Sequence, residues 1–204
     1  MNVCPYCSGG LDRTPKRRTA CPSCGKPILV RKKCLCTEEE ARAVDWCSVL
    51  QIDAAEFQRT QEKLSAQFGR TASCGDTLWH LMHKLLERAR SLQDRQMIYF
   101  QMPRFLWEEK KDYLEVGRQG VRMGLADWRK AASKGLLDLK EVRLKVSTAG
   151  EASCPECRAL QGRLFTFEEA ESGMLLPSAD CSHEKTEDRV RGWCRCCYVL
   201  SFPD

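Results

Sequence analysis

The fold of this chain is decided near its start, by the stretch CPYCSGGLDRTPKRRTACPSCGK at residues 4–26. The stretch contains two Cys-x-x-Cys pairs with thirteen residues between them. Two residues between cysteines let one tight turn direct both sulfurs at a single ion, and two such turns complete a tetrahedral zinc shell. The spacing therefore predicts a zinc ribbon whose ligands are Cys4, Cys7, Cys21 and Cys24.

The residues around these two turns, or knuckles, agree with that prediction. Pro5 and Pro22 preset φ for the turns, and Gly25 is free to adopt a positive φ. KPILVR at 26–31 is expected to form a strand after the second knuckle. Because so short a segment cannot build a self-supporting core, a bound ion must supply much of the folding energy of a domain over residues 1–36.

Strand and knuckle signals return near the end of the chain. KEVRLKV at 140–146 alternates as a strand does, with Val142, Leu144 and Val146 on one face. CPEC at 154–157 forms another knuckle, and RLFTF after it indicates a short strand. An alternative for this knuckle is a thioredoxin-like redox pair, which would require a βαβ pattern that the sequence does not show.

GWCRCCY at 192–198 supplies further sulfurs. Residues two apart in a strand share a face, so Cys194 and Cys196 point together and Cys197 points away. We therefore predict a second zinc site that joins this segment to the knuckle. Its candidate ligands are, in decreasing order of support, Cys154 and Cys157, then Cys194 and Cys196, then Cys181 and His183.

The region between the two cysteine clusters has the apolar period of helices. Thr37 and Glu40 have capping-box spacing, and Asp53 begins a helix that is expected to stop at Gly69. Asp76 is the expected N-cap of the next helix. The apolar stripes predicted as core are Leu78, Leu81, Met82, Leu85 and Leu86, followed by Ile98, Met102, Phe105, Leu106, Tyr113 and Leu114.

The rest of this region is expected to be less regular. Pro103 predicts an interruption or kink, and Gly117, Gly120 and Gly124 predict a loosened helix. The chain as a whole is therefore predicted to be α+β. A zinc ribbon occupies residues 1–36, and a helical domain at 37–204 ends in a β-containing, zinc-binding element at about 140–204.

The net charge of +5 is distributed unevenly. Residues 1–36 hold eight basic residues against one acid, and residues 84–145 hold fifteen against nine. Such blocks attract phosphate or an anionic protein surface. The candidate nucleic-acid contacts are Lys16, Arg17, Arg18, Arg31, Lys32 and Lys33. Only Tyr6 interleaves an aromatic ring with the basic residues, so base stacking is poorly supported, and protein docking is an equal alternative.

The N-terminal sequence MNVCPYCSGG does not resemble a secretory signal, and no run of 18 apolar residues predicts a membrane span. Fourteen cysteines then indicate metal binding in the reducing cytoplasm rather than disulfides. The chain has three histidines and lacks the GxxxxGK[ST], GxSxG and HExxH motifs. Catalysis is therefore disfavoured, and a metal-dependent hydrolase or nuclease is only the third alternative.

The C-terminal elements also follow a recognisable order. RLKVSTAGEASCPECRALQG at 143–162 gives a strand, a polar loop and Cys-Pro-x-Cys-x-x-Leu-x-Gly, and Cys-Arg-Cys follows at 194–196. Over about residues 120–200 the chain resembles the phage Mu F-like head-morphogenesis proteins. The resemblance implies a helical domain before the cysteine-rich end and a minor head protein associated with the portal and packaged DNA. It also implies that the family's motif positions are Cys154, Cys157, His183, Cys194 and Cys196.

Taken together, these observations predict a non-catalytic interaction protein that binds two zinc ions and a protein partner. The resemblance implies that the protein is phage-derived or related to head morphogenesis. The alternative is a zinc module that binds nucleic-acid phosphates through its basic blocks.

Overall fold

The computed structural model describes residues 2–173, 176–178 and 194–203. Helices and small antiparallel sheets are both present, so the fold class is α+β, as predicted. The chain divides into two compact units, Met1–Lys84 and Leu85–Asp204. In the described ranges, no helix has both the length and the apolar content that crossing a bilayer requires.

The first unit begins with a three-stranded antiparallel sheet of order β1-β2-β3. Its strands are β1 (Thr19–Ala20), β2 (Pro27–Arg31) and β3 (Cys34–Cys36). The predicted strand after the second knuckle is thereby confirmed. Ile28 of β2 is fully buried and packs with Cys4 and Cys21. Lys32 and Lys33 both have positive φ and form the two-residue turn between β2 and β3, the requirement of a type I′ hairpin.

Three helices follow in the first unit. They are α1 (Glu38–Leu50), α2 (Ala54–Phe68) and α3 (Cys74–Arg88). The predicted capping box at Thr37 is confirmed, since the Thr37 N–H donates to Glu40 at 2.8 Å and the Glu40 N–H donates to Thr37 at 3.1 Å. Gly69 ends α2 in the left-handed conformation, as expected.

The predicted start of α3 was wrong. Asp76 is not its N-cap, because the helix begins two residues earlier, at Cys74. The Ser73 hydroxyl accepts the Asp76 N–H at 3.0 Å, and the Asp76 carboxylate accepts the Ser73 N–H at 3.3 Å. Ser73 therefore caps the helix and Asp76 supplies the reciprocal bond of a capping box.

In the residues that the structure describes, the second unit combines four α-helices with a three-stranded antiparallel sheet of order β5-β4-β6. The helices are α4 (Leu92–Glu108), α5 (Leu114–Ser133), α6 (Pro155–Leu160) and α7 (Phe167–Gly173). The strands are β4 (Arg143–Ser147), β5 (Leu164–Phe165) and β6 (Cys197–Ser201). The predicted alternation is confirmed, since Val142, Leu144 and Val146 are all buried.

The expected interruption at Pro103 does not occur. Helix α4 continues through this residue, and the chain leaves helical geometry only between Glu108 and Leu114. Pro103 is buried, so its packing offsets part of the cost of about 3 kcal/mol that an interior proline carries. A Cβ on Gly120 would lie 3.0 Å from the Cβ of Tyr99, so this glycine permits close approach of α4 and α5. The glycines of α5 lie within a helix that is continuous from Leu114 to Ser133.

Candidate metal centres

The four cysteines of the ribbon converge on one point. Their sulfur atoms lie within 4.8 Å of one another. The Sγ–Sγ distance is 3.8 Å both for Cys4 with Cys24 and for Cys7 with Cys21. An ion bound tetrahedrally at about 2.3 Å from each sulfur sets the same separation, about 3.8 Å. All four thiols are free of disulfides, so this group can hold one metal ion.

The two knuckles of the ribbon repeat one backbone conformation. The Ser8 N–H donates to the Cys4 carbonyl at 2.9 Å, and the Gly25 N–H donates to the Cys21 carbonyl at 2.8 Å. Ser8 has φ 57° and Gly25 has φ 71°. The sequence indicated the positive φ at Gly25 but gave no such signal at Ser8, which occupies the equivalent position directly after Cys7. The alignment of the two knuckles with each other is the signal that could have found it.

Backbone groups of the knuckles polarise the ribbon thiols. The Tyr6 N–H donates to the Cys4 sulfur at 3.4 Å. The Cys24 backbone N–H lowers the pKa of Cys21 to about 6. At Cys7, a backbone hydrogen bond with Gly9 lowers the pKa, but the neighbouring Cys24 thiol, burial and the other two thiols outweigh it and raise the pKa to about 12. Adjacent thiols therefore cannot all lose their protons at once. A bound cation removes this restriction, because it stabilises the thiolate form of each ligand.

The ribbon is attached to α1 by side-chain contacts within the first unit. The Glu38 N–H donates to the Tyr6 hydroxyl at 2.8 Å, and Arg18 lies 3.3 Å from the Glu38 carboxylate. Arg31 of β2 forms a bidentate ion pair with Asp45 of α1, at 2.7 and 2.9 Å. The position of the metal-binding element on α1 is therefore fixed by several specific contacts.

These contacts also bear on the candidate nucleic-acid residues. Arg18 and Arg31 are engaged by carboxylates, so two of the six basic candidates are neutralised locally. The other four, Lys16, Arg17, Lys32 and Lys33, are exposed. The Lys26 ammonium lies 5.1 Å from the centre of the Tyr6 ring, the aromatic residue that interleaves with this basic region.

Three cysteines converge in the second unit. The sulfur atoms of Cys157, Cys194 and Cys196 lie within 4.8 Å of one another, and those of Cys157 and Cys194 are 3.8 Å apart. All three residues are buried. Cys154 is also buried, and its sulfur accepts the Cys157 N–H at 3.4 Å. The candidate ligands Cys181 and His183 lie outside the described residues.

Strand pairing explains why cysteines so distant in sequence meet. Ser147 at the end of β4 pairs with Cys197 at the start of β6. A 3-10 helix (Gly150–Ala152) then leads from β4 to Cys154, which caps α6 and is followed by a proline at the first helical position. The end of β4 and the start of β6 therefore bring the knuckle to the Cys-Arg-Cys segment. Cys197 is exposed and is not one of the three converging residues.

The second cluster is part of a hydrophobic core. Its cysteines are buried with Leu144, Val146 and Phe167, and the rings of Phe167 and Trp128 meet edge to face at 6.1 Å. The pKa of Cys196 is raised, chiefly by the adjacent Cys157 thiol, then by Cys194 and by burial. The environment therefore opposes ionisation of the Cys196 thiol unless a cation is bound.

Both groups are composed of cysteine alone. Over residues 2–173, 176–178 and 194–203, neither group includes a histidine or a carboxylate. Comparison of the chain with protein-family models, with curated proteins and with solved structures finds no match. The assignment of these sites therefore depends on their geometry, and the resemblance to head-morphogenesis proteins stays a prediction.

Proposed function

We propose that this chain is a non-catalytic interaction protein whose two metal centres each bind one structural zinc ion. The observation that carries the proposal is the convergence of four ribbon sulfurs at tetrahedral spacing. In the second unit, the sulfurs of Cys157 and Cys194 have the same separation of 3.8 Å. The ion of the ribbon would fix an element that has few other means of holding its shape, and the ion of the second unit would join the knuckle to the Cys-Arg-Cys segment.

The donor chemistry favours zinc. Thiolates select zinc, copper(I) or iron–sulfur clusters among biological metals, and a single tetrahedral ion bound by cysteines is typical of structural zinc. In the first unit the ligands are Cys4, Cys7, Cys21 and Cys24. In the second unit we assign Cys154 as the fourth ligand beside Cys157, Cys194 and Cys196, because it is buried in the same knuckle. Such sites persist best in a reducing compartment, and the cytoplasm is the location that we propose.

Four cysteines around each ion support a structural role. Catalytic zinc keeps an open coordination position and a neighbouring group that acts as a base. A shell of four thiolates is closed, and the described residues place no histidine or carboxylate in either group. The ions are therefore assigned to folding, and the function to the surfaces that they stabilise.

The order of elements in the second unit supports a role in head morphogenesis. Strand β4, the knuckle, β5 and then Cys-Arg-Cys with β6 follow one another as in the motif that the sequence resembles. We accordingly assign the protein partner to the portal region of a tailed phage. In the first unit, Arg18 and Arg31 pair with carboxylates, which weakens the support for phosphate binding by the ribbon.

Metal analysis tests the structural part of the proposal. We expect two equivalents of zinc in the purified protein, and two equivalents of tetrahedral, thiolate-bound cobalt after refolding with Co²⁺. Cys197→Ser, which changes an exposed cysteine outside the cluster, is the control and should retain both ions. A single equivalent of metal, or octahedral cobalt, would contradict the assignment.

Association with a portal tests the partner. The zinc-loaded protein is mixed with the assembled portal protein of the genome that encodes it, and the two are separated by size-exclusion chromatography. Co-elution at 150 mM salt supports the proposal. Elution at separate volumes, with both zinc ions retained, would remove the head-morphogenesis assignment and leave the structural zinc sites in place.

A further inference from the structure

A cavity of about 300 Å³ lies in the second unit. Its walls come from α4, from α5 with the residues just before it, and from the segment Cys194–Tyr198. Pockets that bind small molecules begin at about this volume. The volume is sufficient for one or two fused aromatic rings.

Aromatic side chains line much of the cavity. They are Tyr99, Phe100, Tyr113, Trp128 and Tyr198. Aromatic faces and edges attract a planar ring by offset stacking and edge-to-face contact, beyond the gain from burying apolar area. Phe100 is 44% exposed, so this part of the wall is accessible from solvent. The lining therefore favours a flat, aromatic ligand.

Arg195 is the only described lining residue that has a cationic side chain. Arg195 is exposed, and it has no ion-pair partner in the part of the chain that the structure describes. A guanidinium binds a carboxylate in a bidentate manner and also stacks on aromatic rings. The cavity thus joins an apolar, aromatic wall to a single cation.

We propose that this cavity binds a small planar aromatic molecule that carries one anionic group, with the ring against the aromatic wall and the anion at Arg195. Cys194 and Cys196 line the cavity on either side of Arg195, and both belong to the second metal centre. The ion would hold Arg195 in place, so binding depends on the loaded site. Only this dependence on metal rests on the proposed function.

The probe is 2-naphthoate, a fused aromatic ring with one carboxylate. Titration of the zinc-loaded full chain by calorimetry should give saturable binding at one site, with a dissociation constant below about 1 mM. The neutral isostere 2-naphthalenemethanol should bind about tenfold more weakly, because it lacks the charge-assisted bond to Arg195. Failure of 2-naphthoate to bind, or equal binding of the neutral isostere, would overturn the proposal.

Two variants assign the binding to this cavity. Arg195→Gln should weaken 2-naphthoate binding about tenfold and leave the neutral isostere within about twofold. The matched control is Arg158→Gln, because Arg158 is also exposed and also follows a candidate ligand, Cys157, but does not line the cavity. Phe100→Ala removes a partly exposed ring and should weaken both compounds several-fold. Equal effects of Arg195→Gln and Arg158→Gln would overturn the proposal.

Zinc content, measured in every sample, separates this proposal from the proposed function. A preparation with two zinc ions that does not bind 2-naphthoate would contradict the cavity proposal alone. A preparation without zinc that binds 2-naphthoate with the Arg195 dependence described above would support the cavity and contradict its dependence on the metal. Loss of 2-naphthoate binding after chelation, with recovery on adding zinc, supports both the cavity proposal and the zinc assignment.

Discussion

The two candidate metal centres are both composed of cysteines, but their surroundings differ. In the ribbon, Cys4 and Cys21 are buried, but Cys7 and Cys24 are exposed. Their core cluster contains only one further buried residue, Ile28. In the second unit, the clustered cysteines are all buried within a core that also contains Leu144, Val146, Phe165 and Phe167. One centre is therefore at the surface and the other is inside a hydrophobic core.

This difference determines what each ion contributes to stability. The ribbon has little apolar area to bury, so a bound ion would take the place of a core, and losing the ion should unfold the ribbon locally. The second unit has a substantial core, and a bound ion would add to the stability that this core provides. Buried side chains are in contact with many neighbours. Loss of a ligand in the second centre should therefore destabilise the whole second unit.

The largest expected effect comes from a buried ligand of the second centre. Cys157→Ser should lower the free energy of unfolding of the second unit by about 4 kcal/mol, because it removes a ligand and leaves a hydroxyl in an apolar site. Denaturant titration measures the change. Cys197→Ser is the matched control and should stay within about 0.5 kcal/mol of the wild type. If the two variants were equally stable, the second centre would not be part of the core.

A ribbon ligand should produce a smaller and more local effect. Cys24→Ser should release one ion and abolish hydrogen-exchange protection in residues 2–31, while α2 keeps its protection. Cys34→Ser is the control, since Cys34 is also exposed but lies outside the four converging sulfurs. Loss of protection throughout α2 as well would show that the ribbon is not an independently stabilised element.

The order of metal release should depend on how exposed the cysteines of each centre are. A chromophoric chelator reaches Cys7 and Cys24 at the surface, whereas the second centre must open before its sulfurs are accessible. We therefore expect two phases of zinc release, separated by about tenfold or more in rate, with the ribbon's ion released first. Cys24→Ser should remove the fast phase. A single phase of two equivalents would show that burial does not control access.

Much of the ribbon could be predicted from the sequence, because its signals are local. The Cys-x-x-Cys spacing indicates a knuckle within a few residues, and Thr37 with Glu40 indicates a helix start by the same short-range chemistry. The strand of Val142, Leu144 and Val146 was equally visible, since alternation is a local property.

The sequence-based predictions failed where contacts between residues far apart in the sequence determine the structure. Helix α4 continues through Pro103, which is buried by packing that its own segment does not reveal. The role of Asp76 depended on whether Ser73 or Asp76 would cap the helix, and either residue type is suitable. The aromatic cavity could not be predicted at all, because its lining runs from Gln96 to Tyr198 and only the folded chain brings those residues together.

The smallest expected effect concerns an ion pair of the second unit. Arg129 donates two hydrogen bonds of 2.6 Å to Glu171 and lowers the pKa of this carboxyl below its ordinary value of 4.5. A depressed pKa stabilises the folded state above the unfolded-state value, and this contribution is lost as pH falls through the folded-state pKa.

The side chains of Arg129 and Glu171 are 40% and 36% exposed, so solvent screening limits the ion pair to about 0.5 kcal/mol. Glu171→Gln should therefore destabilise the second unit by about 0.5 kcal/mol at pH 7, and the difference from the wild type should shrink as the pH falls below 4.5. Glu141→Gln, at another exposed position, should show neither change. Thermal unfolding at several pH values measures the destabilisation at pH 7 and its decrease at low pH. A much larger loss for Glu171→Gln would mean that the ion pair, rather than the core around the second cysteine cluster, holds this unit together.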